Sequence, residues 1–384
     1  MWALLVLLLV EVQGLVPNCP EECLCLSQSQ ILCNTGGLTE IPKDLPTTVQ
    51  HLSLTKNNFP VIRTDAFNGL KGLTRLHLDG NNISVIKPFA FRGLPRLKEI
   101  SIQHTPLRLV AQFAFAGLQN VSHIFLGHNQ IEKVEGYAFA GTSNVRLLLL
   151  NNNPLKRVEA SAFSGLTHVE HIILPSGVKV IEPDAFNGLD TVGLLKMAFM
   201  DLQAMQSHTF RNLIRVHVLT IQESDLGVIK EGAFDGLSLV TNLNIINNKI
   251  DAIRGLVIKP ASKVRTLRFH GNHLLETPTL TGLVIDGVEH LSVINNHFPC
   301  DCHLHTLLAS SLANTSDFKR RNFCISPLEV NGRTIESLDL DTIGRCSNEM
   351  TRDTLEGTLG SRGTNSTRLC GQLFLLLVIR LLMF

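Results

Sequence analysis

Apolar residues recur along this chain with two superposed periods. In Leu73-Thr-Arg-Leu-His-Leu-Asp-Gly-Asn81, aliphatic residues hold the first, fourth and sixth places. The same register begins at Val49, Leu73, Leu97, Val121, Val145, Val169, Val192, Val216, Val240, Val264 and Val288. Eleven units therefore follow one another at a spacing of 24, except for one interval of 23 between Val169 and Val192. The alternation turns the aliphatic side chains of a short strand inward and the residues between them to solvent. Asn57, Asn81, Asn129, Asn153, Asn248, Asn272 and Asn296 follow their strands, where a side-chain amide satisfies backbone groups as the chain turns inward. A second signal recurs later in most units, in Ala66-Phe67, Ala90-Phe91, Ala114-Phe115, Ala162-Phe163, Ala185-Phe186 and Ala233-Phe234. It predicts phenylalanines stacked along the back. The pattern as a whole predicts an α/β solenoid, a horseshoe of about eleven repeats over residues 49–298 with a parallel sheet on its concave side. One such unit cannot bury enough surface to hold itself, so neighbours share a core and both ends need caps.

Cysteines stand where caps are needed. Cys19, Cys23, Cys25 and Cys33 precede the first unit, and Cys300, Cys302, Cys324 and Cys346 follow the last. Close cysteine clusters are either zinc ligands or disulfides. Their place at both ends of a solenoid behind an N-terminal export signal favours disulfides, although each set of four allows three pairings. The repeat pattern L-x-x-L-x-L-x-x-N-x-L, Pro20 after Cys19, Asp301 between two cysteines, and Cys324-Ile-Ser-Pro327-Leu-Glu-Val-Asn-Gly332 carry a specific resemblance. From Cys19 to Cys346 the chain resembles extracellular leucine-rich-repeat proteins with cysteine-rich flanks, of the kind represented by Slit, the Nogo receptor, chaoptin and connectin. That resemblance implies a leucine-rich-repeat horseshoe capped by disulfides, with a cap over residues 15–48 and another over 299–346. It also implies the pairs Cys19–Cys25, Cys23–Cys33, Cys300–Cys324 and Cys302–Cys346. Such a C-terminal cap usually carries a tryptophan after its first cysteines; here the stretch is His303-Leu-His-Thr-Leu-Leu308.

The two ends read as addresses. An apolar run through Val10, followed by Glu11 to Gly14, has the length of a signal-peptide core, which places a signal peptide over residues 1–14. At the other end, a polar linker over 347–368 precedes a hydrophobic tail over 369–384 that only Arg380 interrupts among its last twelve residues. Small residues, a polar spacer and an apolar tail form the pattern of a glycosylphosphatidylinositol (GPI) signal, with Ser361, Gly363 and Asn365 as attachment candidates. Export and tail removal would take away Trp2, the only tryptophan, and Cys370, the ninth and unpaired cysteine.

A formal net charge of +1, from 34 Lys+Arg against 33 Asp+Glu, gives no electrostatic footprint for nucleic acid. The chain contains no G-x-S-x-G, H-E-x-x-H, Walker or G-x-G-x-x-G motif, so neither an enzyme, a cofactor nor a metal is expected. Nine of fifteen histidines, His51, His77, His104, His123, His128, His171, His217, His270 and His290, are assigned to outward strand positions and read as ordinary polar surface. The central outward row runs Ser53, His77, Ser101, Phe125, Leu149, Ile173, Lys196, Thr220, Asn244, Arg268, Ser292. Phe125, Leu149 and Ile173, with Leu147 beside them, form a predicted apolar patch on an otherwise polar face, the kind of feature that marks a partner site. Arg265, Arg268 and His270 form a second candidate, suited to an acidic partner. Sequons at Asn82, Asn120, Asn314 and Asn365 fall outside the outward strand positions, which predicts a concave face left open by glycans. These features point to an extracellular or cell-surface glycoprotein that binds an adhesion partner or another extracellular protein. A lipid anchor in the outer membrane leaflet would require a transmembrane co-receptor for signalling. The alternatives are a freely secreted matrix or immune-recognition protein, or a non-catalytic subunit of an extracellular enzyme complex.

Overall fold

The computed structural model describes residues 19–344 and 346. The signal peptide, the linker and tail beyond Cys346, the GPI attachment candidates, Asn365 and Cys370 lie outside the described residues. The chain divides into two compact units, Met1–Ile343 and Gly344–Phe384. All the elements below belong to the first.

One sheet of 13 strands runs the length of the repeats. It opens with the hairpin Leu24–Ser27 (β1) and Gln30–Leu32 (β2). The strands His51–Ser53 (β3), Arg75–His77 (β4), Glu99–Ser101 (β5), His123–Phe125 (β6) and Leu147–Leu149 (β7) follow. They lead on to His168–Ile173 (β8), Thr191–Ala198 (β9), Arg215–Gln222 (β10), Leu239–Ile246 (β11), Val264–His270 (β12) and His290–Ile294 (β13). β1 and β2 are antiparallel, β2 joins β3 in parallel, and every later pairing in the sheet is parallel and in register from unit to unit. The eleven strands β3 to β13 are the eleven units legible in the sequence. They are unequal: three residues long in β3–β7, then five to eight in β8–β13.

The core follows from the alternation. Leu148, Ile172, Leu195, Leu219 and Leu243, the middle inward residues of successive strands, are all fully buried. Behind them Phe67, Phe91, Phe115, Phe139, Phe163, Phe186, Phe210 and Phe234 stack ring on ring, with centroids 5.5–6.4 Å apart. Phe139, preceded by Ala138, and Phe210, preceded by Thr209 in place of alanine, complete the spine. Met197, Met200 and Met205 are buried and fill core where the repeat is least regular.

The convex side contains turns and strands of two or three residues rather than α-helices. A column of left-handed residues crosses it, from Asp65, Phe89, Phe113 and Tyr137 to Ser161, Asp184 and His208, each with φ between 54° and 61°. Each N–H in this column donates to the corresponding carbonyl of the next unit. A left-handed residue in each of these units leaves no room for a helical run, and the unit that begins at Val240, outside the column, carries the 3-10 turn Pro260–Ser262. The α-helical segments of the described residues, Leu304–Leu308, Phe318–Arg321 and Leu340–Ile343, lie in the C-terminal cap.

The turn asparagines form a second spine. Asn81 donates its Nδ2 to the carbonyls of Leu54 (2.8 Å) and Leu78 (2.7 Å), and its Oδ1 accepts the N–H of Asn57 at 3.1 Å. Each unit is thereby tied to the one before it. Thr105, Gly177 and Met200 interrupt the series; Ser224 partly restores it by accepting the N–H of Met200 at 2.9 Å. The series runs past the repeats into the cap, where Asn322 accepts the N–H of Asn296 at 2.9 Å and donates to Val293 and Phe318.

Disulfides close both ends. Cys19 pairs with Cys25, Cys23 with Cys33 and Cys300 with Cys324. Cys302 and Cys346 are also disulfide-bonded. In the stretch without tryptophan, Leu304 and Leu307 are fully buried and supply the apolar filling of the C-terminal cap.

Candidate functional site

Register decides which outward side chains meet. Phe125 lies beside Leu149, and Leu149 beside Ile173, on adjacent parallel strands. Lys196 follows on one flank and Ser101 on the other. All three apolar residues are half-buried, open to solvent on the sheet's outer face. The preceding outward row runs His123, Leu147, His171, Leu194, Val218 and Asn242, again in register. Leu147, Leu194 and Val218 are half-buried as well. The apolar feature is thus a diagonal band from Phe125 on β6 to Val218 on β10, about 19 Å long at four strand spacings. Leu194 and Val218 escape a reading confined to the central row. Their signal is their place two residues after the unit starts Val192 and Val216.

Polar pairs border the band. The His77 imidazole meets Glu99 at 2.9 Å, and the Ser101 hydroxyl donates to Asp79 at 2.7 Å. The His123 ring lies parallel to Phe125 at 6.1 Å and bonds the Ser122 hydroxyl at 2.9 Å. Beside the band, at the N-terminal ends of the strands, is a groove of about 1200 Å³. Arg146, Glu170, Leu194 and Val218 line it, so it shares two residues with the band. Gly193 also lines it, at the start of the unit that follows the one shortened unit. A Cβ on Gly193 would lie 2.5 Å from the carbonyl oxygen of Glu170, so no other residue fits without a backbone shift.

The second candidate is narrower than its sequence suggests. Arg265 meets Glu289, the residue just before the next strand, at 3.1 Å, which offsets its charge. Arg268 donates to the Asn244 side chain at 3.1 Å, and His270 bonds the Ser292 hydroxyl at 2.8 Å. Burial, and then the positive charges of Arg268 and Arg321, hold His270 below the usual histidine range. What remains is one exposed arginine beside a largely neutral imidazole.

The histidine row is also modified. Seven of the nine lie on strands, but His104 and His128 occupy turns at φ 55°, with rings stacked at 4.8 Å. Asn82, Asn120 and Asn314 are exposed. Asn120, however, lines the groove beside the band, so this sequon lies closer to the concave face than its place outside the strands suggests. Among the described residues, no helix is long and apolar enough to cross a membrane.

Comparison with known proteins agrees with this architecture. The family profile described as BspA type leucine rich repeat region matches in six copies, over residues 60–193 and 156–274. Human leucine-rich repeat-containing protein 4 is 39% identical over 62 residues, which is 16% of this chain and 10% of that protein. Human chondroadherin is 39% identical over 79 residues, 20% of this chain and 22% of that protein. The chain therefore spans only a tenth to about a fifth of the length of these relatives. Among solved structures, human 5T4 (Wnt-activated inhibitory factor 1, trophoblast glycoprotein) aligns over 85% of this chain and 98% of its own, at 22% identity and a TM-score of 0.40.

Proposed function

Since this chain belongs to the family of BspA type leucine-rich repeats, we propose that it is an extracellular protein that binds another protein on its concave face, in a cell-surface adhesion or receptor role. The observation that carries this reading is the band from Phe125 through Leu149 and Ile173 to Leu194 and Val218. It holds six aliphatic or aromatic side chains half-open to water on a sheet whose other outward positions are mostly polar. A contiguous apolar surface rimmed by hydrogen-bonded polar pairs is the anatomy of an interaction site. Disulfides at both ends support an oxidising, extracellular setting. In this reading Asn82, Asn120, Asn314 and Asn365 carry glycans, and a lipid anchor at Ser361, Gly363 or Asn365 holds the protein at the outer leaflet. A transmembrane co-receptor then carries any signal. Arg268 and its neighbours serve as a secondary contact.

The test begins with cell-surface proximity labelling to identify the partner, followed by affinity measurement with the Phe125→Asp, Leu149→Asp double variant. Hot-spot truncations cost about 2 kcal/mol each, so the double variant is expected to bind several hundred-fold more weakly, at roughly tenfold per 1.4 kcal/mol. Unchanged affinity in a variant with wild-type circular dichroism would refute the site. Release from cells by phosphatidylinositol-specific phospholipase C tests the anchor separately.

A further inference from the structure

The groove beside the apolar band has an unusual neighbour. Its lining includes Asn120, the acceptor of the sequon Asn120-Val-Ser122. The Asn120 side chain is exposed yet held in place, its Nδ2 donating to the Pro95 carbonyl at 2.9 Å. N-glycosylation replaces one of the two hydrogens on that nitrogen and leaves the other, so the bond to Pro95 can persist and fix the direction of the attached sugar. Ser122, the third sequon residue, is anchored by its hydroxyl to the Lys98 carbonyl at 2.9 Å.

The groove suits a saccharide chemically. Arg146 and Glu170, paired with each other at 3.1 Å, and His217, bonded to the Thr241 hydroxyl at 3.2 Å, are exposed and keep further N–H groups and carboxylate lone pairs for hydroxyl groups, while Leu194 and Val218 offer apolar surface to the C–H faces of a sugar ring. The lining is mostly polar side chains with the aliphatic Leu194 and Val218 among them, a mixture that matches the hydroxyl groups and C–H faces of a sugar. At about 1200 Å³ the groove exceeds the typical pocket and accommodates several sugar rings. The groove is also built into the chain, because Gly193 has no side chain where its unit meets the shortened one and none can be added there without displacing backbone.

We propose that the glycan on Asn120 lies along this groove, occupying it as an intramolecular ligand and covering the Leu194–Val218 end of the apolar band. The inference rests on the extracellular reading above and adds a site to it. Trimming of this one glycan then regulates how much of the band a partner meets. Asn82, which lines no part of the groove, serves as an internal control.

The full chain, expressed in mammalian cells and recovered from their surface or medium, is digested with peptide-N-glycosidase F, natively and after denaturation, and release at each site is followed by peptide mass spectrometry. In the native protein Asn120 is expected to be released at least ~tenfold more slowly than Asn82, the equivalent of ~1.4 kcal/mol of preference for the groove. Denaturation is expected to equalise the two rates. Leu194→Arg, which intrudes on the groove from an outward position, is expected to make native release at Asn120 as fast as at Asn82. Equal native rates in the wild-type protein, or an occupied Asn82 beside a vacant Asn120, would overturn the proposal and leave the extracellular reading intact. A chain retained in the cytosol with no glycan at either site would sink both.

Discussion

Asn272 tests most directly whether the asparagine spine holds the units together. It is fully buried, and its Oδ1 accepts both the backbone N–H and the Nδ2 of Asn248, each at 3.0 Å. Its own Nδ2 donates to the carbonyl of Ile245 at 2.9 Å. Asn272→Ala leaves the Asn248 N–H unpaired in a buried setting, while the Ile245 carbonyl loses one bond but keeps its ladder partner on the next strand. The Asn248 amide retains its bond to Ile221 at 3.0 Å, so one group is orphaned. The orphaned N–H costs about 1–3 kcal/mol and the lost bond to Ile245 about 1 kcal/mol, giving an expected loss of about 2–4 kcal/mol. The control is Asn144→Ala, whose exposed amide donates to Gln119 and whose loss is expected to cost about 0.5 kcal/mol. Urea unfolding followed by far-ultraviolet circular dichroism gives the difference, provided the slope is unchanged. A cost for Asn272→Ala within about 1 kcal/mol of the control would refute the view that unit-to-unit amide bonds, rather than apolar packing alone, hold the solenoid.

Three further expectations follow from the packing. Phe163 is fully buried between Phe139 (6.4 Å) and Phe186 (5.6 Å), so Phe163→Ala is expected to cost about 3–5 kcal/mol in the same urea assay. Gly193→Ala forces a Cβ to 2.5 Å from the Glu170 carbonyl oxygen and is expected to lower stability by about 1–3 kcal/mol although the site is a surface groove; an unchanged midpoint would refute the close approach. Burial holds the pKa of His297 low, with His273 stacked on it at 4.3 Å, and burial likewise depresses that of His270. The unfolded chain, with histidines near about 6.5, therefore takes up protons that the folded chain refuses. Stability is expected to fall as pH drops through that value and to level off below the lowered folded values. Thermal melts from neutral pH to pH 5 check this, and His297→Phe is expected to reduce the slope.

Much of the fold was legible because its determinants are local and repeated. The inward Leu-x-Leu alternation, the turn asparagines and the Ala-Phe signal each recur at the same offset from a unit start, so every unit corroborates the others. Asn322 escaped because its unit lacks the repeat pattern and stands 26 residues after Asn296; the fold of the cap, not a periodic signal, brings it to the end of the amide series. The convex side was read less well. A helix there is excluded by left-handed residues such as Phe89, Phe113 and Tyr137, whose aromatic side chains carry no turn signal. Stacking of their rings, at 5.6 and 6.4 Å, accompanies this conformation and exists only once the units are aligned.

By itself the sequence determined the number of units, their register and the placement of cysteines at both ends, because a period-two strand in a repeating frame permits no other assignment of inward and outward residues. It also placed Phe125, Leu149 and Ile173 in one row, since parallel in-register strands set equivalent positions side by side. Only the tertiary structure decided that the row continues diagonally through Leu194 and Val218, that Glu289 offsets Arg265, and that Asn120 lines a groove. Those facts depend on contacts between units and on the space around a single shortened repeat. A pattern read one unit at a time carries the direction of each side chain, but not what stands beside it.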